Sequence, residues 1–159
     1  MNWQCLTFSQ LTTEQLYELL KLRVDVFVVE QTCPYPELDN KDRADGVYHL
    51  LGYQDGQLLA CSRLLAPGIS YNNVSFGRVA IAQSARGKGL GQVLVATTLS
   101  HCQRLWPHQD ITIGAQEYLL DFYQGFGFQA ISAVYLEDDI PHLDMRLTHT
   151  KSDNRSEKS

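Results

Sequence analysis

Apolar residues recur along this chain in two rhythms, every second position in some stretches and every third or fourth in others. Residues 3–8 read as a first strand. Thr12-x-x-Gln15 has the form of a capping box, and Leu16, Leu19, Leu20, Val24, Phe27 and Val28 follow at helical spacing. That spacing predicts a helix ending near Gln31. Pro34, Pro36 and the polar run 39–45 predict a loop. Strands are predicted over 47–53 and 57–65, joined by the hairpin signal Asp55-Gly56. Residues 67–73 break the pattern, and 74–82 reads as the next strand. Residues 90–105 are apolar on more than one face, which predicts a buried helix ended by Trp106-Pro107. A short strand over 110–115 follows, then a helix over 117–124 stopped by Gly125 and Gly127. Strands over 128–134 and 143–147 complete the set. Consecutive strands mixed with helices predict the α+β class with one central mixed sheet. The single domain spans 1–148, and the polar stretch 149–159 reads as a disordered tail.

Composition narrows the function classes. At 159 residues the chain suits one domain with a sizeable core. Its formal net charge of −5 argues against a nucleic-acid partner, which favours a basic surface, and is consistent with a cationic acceptor such as an amine. No run approaches the ~20 apolar residues of a membrane span. Met1-Asn2-Trp3-Gln4-Cys5 lacks the basic and apolar regions of a secretory signal, so a cytoplasmic protein is expected. The cysteines at 5, 33, 61 and 102 form neither a Cys-x-x-Cys nor a tight Cys/His cluster. Reduced thiols are therefore expected, with no metal site and no disulfide framework.

The chemistry is concentrated in Arg86-Gly87-Lys88-Gly89-Leu90-Gly91, between the strand 74–82 and the apolar helix. Strand, glycine-rich turn and helix present unpaired backbone N–H groups to a phosphate, and the helix dipole adds partial positive charge there. A Walker loop is excluded because Gly89, not Ser or Thr, follows Lys88. A dinucleotide fingerprint fails because Gln92 stands at its third glycine. The remaining pattern, Arg/Gln-x-x-Gly-x-Gly/Ala, is matched by Arg86, Gly89 and Gly91.

That pattern resembles the acetyl-CoA signature of the GNAT superfamily of N-acetyltransferases. Residues 116–128 are similar to the superfamily's second motif: Phe122, Tyr123, Gly127 and Phe128 fit in register, while Gln116 and Leu119 replace the usual Asn and Ala. Residues 23–35 and 137–142 resemble the ElaA branch in particular. The resemblance implies a central mixed, mostly antiparallel sheet flanked by helices, whose two central strands splay apart to hold a thioester. It implies that the amides of Gly87, Gly89, Leu90 and Gly91 hold the coenzyme A pyrophosphate. Arg86 would shape the loop, Lys88 would reach a phosphate, and Val79, Ala80 and Ile81 would pair with the pantetheine arm. The activity implied is direct transfer of acetyl from acetyl-CoA to an amine of a small molecule or peptide, by a monomer or homodimer. A non-catalytic acyl-CoA sensor is the alternative.

Such a reaction needs proton removal from the amine, donors for the developing oxyanion, and an acid for the leaving thiolate. Tyr123 is the expected acid, because a phenol keeps its proton at neutral pH. Strand amides at Val79, Ala80 and Ile81 are the expected oxyanion donors. Glu30, Asp39, His49, Glu137 and His142 are candidate bases, with Glu30 and His49 the favoured pair; a water chain is an alternative.

Overall fold

A computed structural model describes residues 1–150. The elements are β1 (Asn2–Leu6), α1 (Thr13–Val24), β2 (Val47–Gln54), β3 (Gln57–Leu65), β4 (Ser75–Ile81), α2 (Leu90–Leu105), β5 (Ile111–Gln116), α3 (Leu120–Gln124), β6 (Gln129–Ala130), β7 (Tyr135–Glu137) and β8 (Ile140–Leu147). The capping box forms as expected: the Gln15 amide donates to Thr12 Oγ1 at 3.0 Å, and the Thr12 amide donates to Gln15 Oε1 at 3.0 Å. After Val24 the helix widens into a π-helical stretch, Asp25–Glu30, so the helical run closes one residue before the predicted end.

The expected central sheet is divided by its splay into two four-stranded sheets. One has the order β1-β2-β3-β4; the other is built around β8, which pairs with β5 on one edge and with β6 and β7 on the other. Every pairing within them is antiparallel. Among the described residues, the sheets join through one parallel bridge, Val74 to Ile111, where the Thr112 amide donates to the Val74 carbonyl at 2.9 Å. Beyond it β4 and β5 run side by side without pairing. This is the splay that the resemblance implied.

Helices cover both faces of the first sheet. Leu19, Leu22 and Val26 pack on Leu51, Cys61 and Ala80. Leu94, Val95 and Cys102 pack on the opposite face with Leu50, Ala60, Leu64 and Phe76. Burial on both sides explains why β2 and β3 read as nearly continuous apolar runs. The second sheet alternates instead: Leu143 and Met145 are buried, while His142, Asp144 and Arg146 face the other way.

Two boundaries differ from expectation for a visible reason. The strand predicted over 128–134 stops at Ala130, because the Ser132 hydroxyl accepts the hydrogen bond of the Asp144 amide in place of a ladder carbonyl. The polar run 39–45 is a loop, but it is pinned rather than free. Arg23, 1% exposed, donates through Nε to Glu37 (2.6 Å) and through Nη1 to Asp42 (2.9 Å). Arg63 forks onto Asp39 (2.8 and 2.9 Å) and also reaches Asp42 (2.9 Å), and Arg78 bonds Glu37 (2.9 Å). Three arginines and three carboxylates thus neutralise one another between α1, β3 and β4. At the other end of the chain, the His149 amide donates to Asp110 at 2.8 Å. The rest of the expected tail, 151–159, lies outside the described residues.

Candidate functional site

The splay is a site because of what happens to β4. Its pairing with β3 slips between Cys61–Ala80 and Arg63–Gly77, so Arg78 and Val79 together oppose Ser62. Arg78 takes φ 50°, the left-handed region that ordinary side chains avoid. A bulge of this kind leaves backbone groups outside the ladder and bends the strand. Here it lies on the strand that borders the gap.

Two clefts meet along that strand. One, of about 480 Å³, runs between Val79, Ala80 and Ile81 on one side and Tyr118, Phe122 and Tyr123 on the other, and reaches Glu30, Arg86 and Gly91. The second, of about 460 Å³, is more polar; it is bordered by Tyr35, Asp39, Arg63, Arg78, Gln116, Glu137 and His142. Gln31, Val79, Leu119 and Tyr123 line both. Tyr123 therefore stands at the junction. Its ring packs edge-on against Phe128 and tilted against Phe76, and burial pushes its phenol up, so it holds its proton at neutral pH.

The glycine-rich loop closes the first cleft. Gly87 and Gly89 have φ of 81° and 78°, which the turn into α2 requires. Gly91 adopts ordinary helical geometry, and a Cβ there would point at Ile81 Cδ1 (3.5 Å) and Phe122 Cζ (3.9 Å), into the cleft. An open backbone at a helix N-terminus beside an apolar slot fits a phosphate joined to a less polar arm. Arg86 donates through Nε and Nη2 to the Ile81 carbonyl (3.1 and 2.9 Å) and pairs with Glu30 (2.7 Å), tying the loop to β4 and to the π-helical stretch. Leu90 opens α2 and packs against the core. Lys88 is exposed and borders a separate depression with Met1, Asp55 and Leu59.

The favoured base pair is not brought together at the junction. Glu30 lies in the first cleft, engaged by Arg86. His49 is 1% exposed and borders neither cleft; its Nε2 bonds the Asp42 carbonyl at 3.0 Å, and burial lowers its pKa. An imidazole sealed behind the charged network has no path to an acceptor amine, so its position supports a structural role. Asp39 is tied to Arg63. Glu137 and His142 do face the second cleft. Arg78 and Tyr35, which reading the sequence passed over, also border it, with the guanidinium 5.7 Å from the Tyr35 ring centre. Among the described residues, no group of three or more His, Cys, Asp or Glu is placed to hold a metal, and no helix is long and apolar enough to cross a membrane.

Comparison with known proteins agrees with this fold. Residues 17–149 match the acetyltransferase (GNAT) domain model, and the chain belongs to that family. It is 43% identical to Escherichia coli protein ElaA over 145 residues, which is 91% of this chain and 95% of ElaA. The crystal structure of Escherichia coli ElaA superposes with a TM-score of 0.86 over 91% of this chain and 97% of that one. An acyl-CoA N-acyltransferase from Pseudomonas aeruginosa superposes with a TM-score of 0.87, at 46% identity and the same coverage. An aminoglycoside 6′-N-acetyltransferase in complex with coenzyme A shares the fold at 12% identity and a TM-score of 0.71, covering 94% of this chain and 98% of its own.

Proposed function

We propose that this chain is an acetyl-CoA-dependent N-acetyltransferase that moves the acetyl group directly onto a primary amine of a small molecule or peptide. One observation carries the reading: an apolar slot ending at the glycine-rich loop and a polar cleft meet at the buried Tyr123. The thioester supplies an activated acyl carbon. The chain's own residues do the rest. The amides of Gly87, Gly89, Leu90 and Gly91 hold phosphate, Arg86 fixes the loop that presents them, and the β4 backbone at Val79, Ala80 and Ile81 aligns the arm. Amides freed by the bulge donate to the carbonyl oxygen as it gains charge. The Tyr123 phenol gives its proton to the departing sulfur.

Release of coenzyme A tests this. The assay combines purified protein, acetyl-CoA and a panel of polyamines, amino acids, aminoglycosides and peptides. Amine-dependent release is expected. Tyr123→Phe is expected to lower kcat by about 10²-fold, the usual contribution of a positioned acid, with acetyl-CoA affinity within twofold of wild type. Equal turnover by the two proteins removes Tyr123 from the mechanism. Tight acetyl-CoA binding without turnover across the panel favours a sensor over an enzyme.

A further inference from the structure

We propose that His142 is the group that takes the proton from the acceptor, and that the acceptor enters the polar cleft as an alkylammonium ion. This rests on the transferase reading and adds to it the base and the charge class of the substrate.

The geometry comes from the β7–β8 hairpin. Asp138 and Asp139, at φ 51° and 62°, make the two-residue turn that fixes its register. Tyr135 pairs with His142 and Glu137 with Ile140, so Tyr135, Glu137 and His142 share one face. On β5 the partner of His142 is Gln116, and both border the polar cleft. His142 Nδ1 lies 2.7 Å from the Ile140 carbonyl. A carbonyl only accepts, so Nδ1 carries the proton and the neutral ring keeps its lone pair at Nε2. Glu137 Oε2, an acceptor that leaves the lone pair free, is 3.6 Å from Nε2, close enough to stabilise an imidazolium.

The ring is held in place. It stacks on Tyr135 with an interplanar angle of 20°, and the Tyr135 hydroxyl is anchored on Asp144 at 2.7 Å. From the other side, Cys33 Sγ reaches the Asp138 carbonyl at 3.5 Å and ties the turn to the loop after the π-helical stretch. Of the charged groups around the cleft, Arg63 and Arg78 are neutralised by Asp39 and Glu37, while Lys41, on the neutral Ser70 hydroxyl, keeps its charge. The three carboxylates of the turn Glu137-Asp138-Asp139 outnumber that one cation and lie beside His142, so the field there favours a cation.

The protons balance. An alkylammonium gives one proton to His142 Nε2. Its nitrogen then bonds the acyl carbon as the carbon–sulfur bond breaks. Tyr123 gives its phenol proton to the sulfur, the second nitrogen proton restores the phenol, and His142 returns its proton to water.

The test uses the full chain, with the tautomer of His142 read by ¹⁵N NMR and coenzyme A release read with an alkylamine and with aniline, which is already neutral at pH 7. The expected result is an Nδ1–H ring. His142→Gln should lose about 10²-fold in kcat/KM for the alkylamine, at least tenfold less for aniline, with an unchanged dissociation constant for acetyl-CoA. Equal losses for both amines, an unaffected alkylamine rate, or an Nε2–H ring overturns the proposal while leaving the transferase reading standing. No turnover by wild type with any amine is failure of that reading, and the proposal falls with it.

Discussion

Gly91 allows binding and folding to be separated by a single position. It is the second residue of α2, and the first atom of any side chain there enters the apolar cleft at ordinary contact distance, 3.5 Å from Ile81 and 3.9 Å from Phe122. Nothing must move to admit a methyl group. Glycine in a helix is less favourable than alanine by up to about 1 kcal/mol, so Gly91→Ala should raise Tm by about 2–4 °C for a chain of this size. Alanine also satisfies the loop pattern, so acetyl-CoA affinity should hold. Gly91→Leu keeps most of the helix benefit, and its longer side chain extends along Ile81 and Phe122 into the slot. Blocking one amide–phosphate hydrogen bond forfeits about 1.5–3 kcal/mol, the usual worth of a bond to a charged group, which is a loss of about 10- to 100-fold in affinity. Calorimetric titration with acetyl-CoA and a thermal melt of the same samples give both numbers. A Gly91→Leu protein that binds as tightly as wild type would show that the cofactor does not use this cleft. A Tm lowered by several degrees would refute the packing argument instead.

Two further outcomes concern the charged network. Arg23→Leu should cost about 3 kcal/mol in urea denaturation, the lower end for breaking a buried pair, because Glu37 keeps Arg78 and Asp42 keeps Arg63. A loss below 1 kcal/mol would mean the network is not rigidly formed. Acid stability provides the second test. Burial alone would raise the Asp39 carboxyl, but the hydrogen bonds and charge of Arg63 outweigh it and hold it at about 2. Its folded value lies below the unfolded one, so the stability it contributes is complete above about pH 4 and is lost as pH falls toward 2. The urea midpoint should drop across that window, and Asp39→Asn should flatten the slope; an unchanged slope would remove Asp39 as a source of acid sensitivity.

What the sequence made legible was local. The extent of α2 follows from its apolar faces and the Trp106-Pro107 stop, and the hairpin turn from Asp55-Gly56, both of whose φ angles are positive as that turn demands. The glycine-rich loop was legible for the same reason: strand, glycines and helix are contiguous. The charged network was not, since its pairs are 14 to 41 residues apart. One signal was present. Arg63 interrupts the apolar run of β3, and a charge in a strand covered on both faces needs counter-charges. His49 was favoured because the resemblance places the strands beside the first helix on the acceptor side, and a strand's place in the fold does not show what covers each of its side chains. His142 was among the candidates, yet only the hairpin register shows that Glu137 and Tyr135 share its surface.

The parallel bridge between Val74 and Ile111 gives the molecule a lever. Strands rise about 3.3 Å per residue, so Ile81 lies roughly 20 Å along β4 from the bridge. One degree of rotation about that point moves the far end by about 0.4 Å, and misplacement by an ångström can cost about 10²-fold in rate. The residues beside the fulcrum are fully buried apolar core, remote from the chemistry in name only. Trimming a methyl from Val74 or Ile111 becomes a change in the spacing of reagents at the other end of the strand, and evolution can retune the rate there without replacing one residue that borders either cleft.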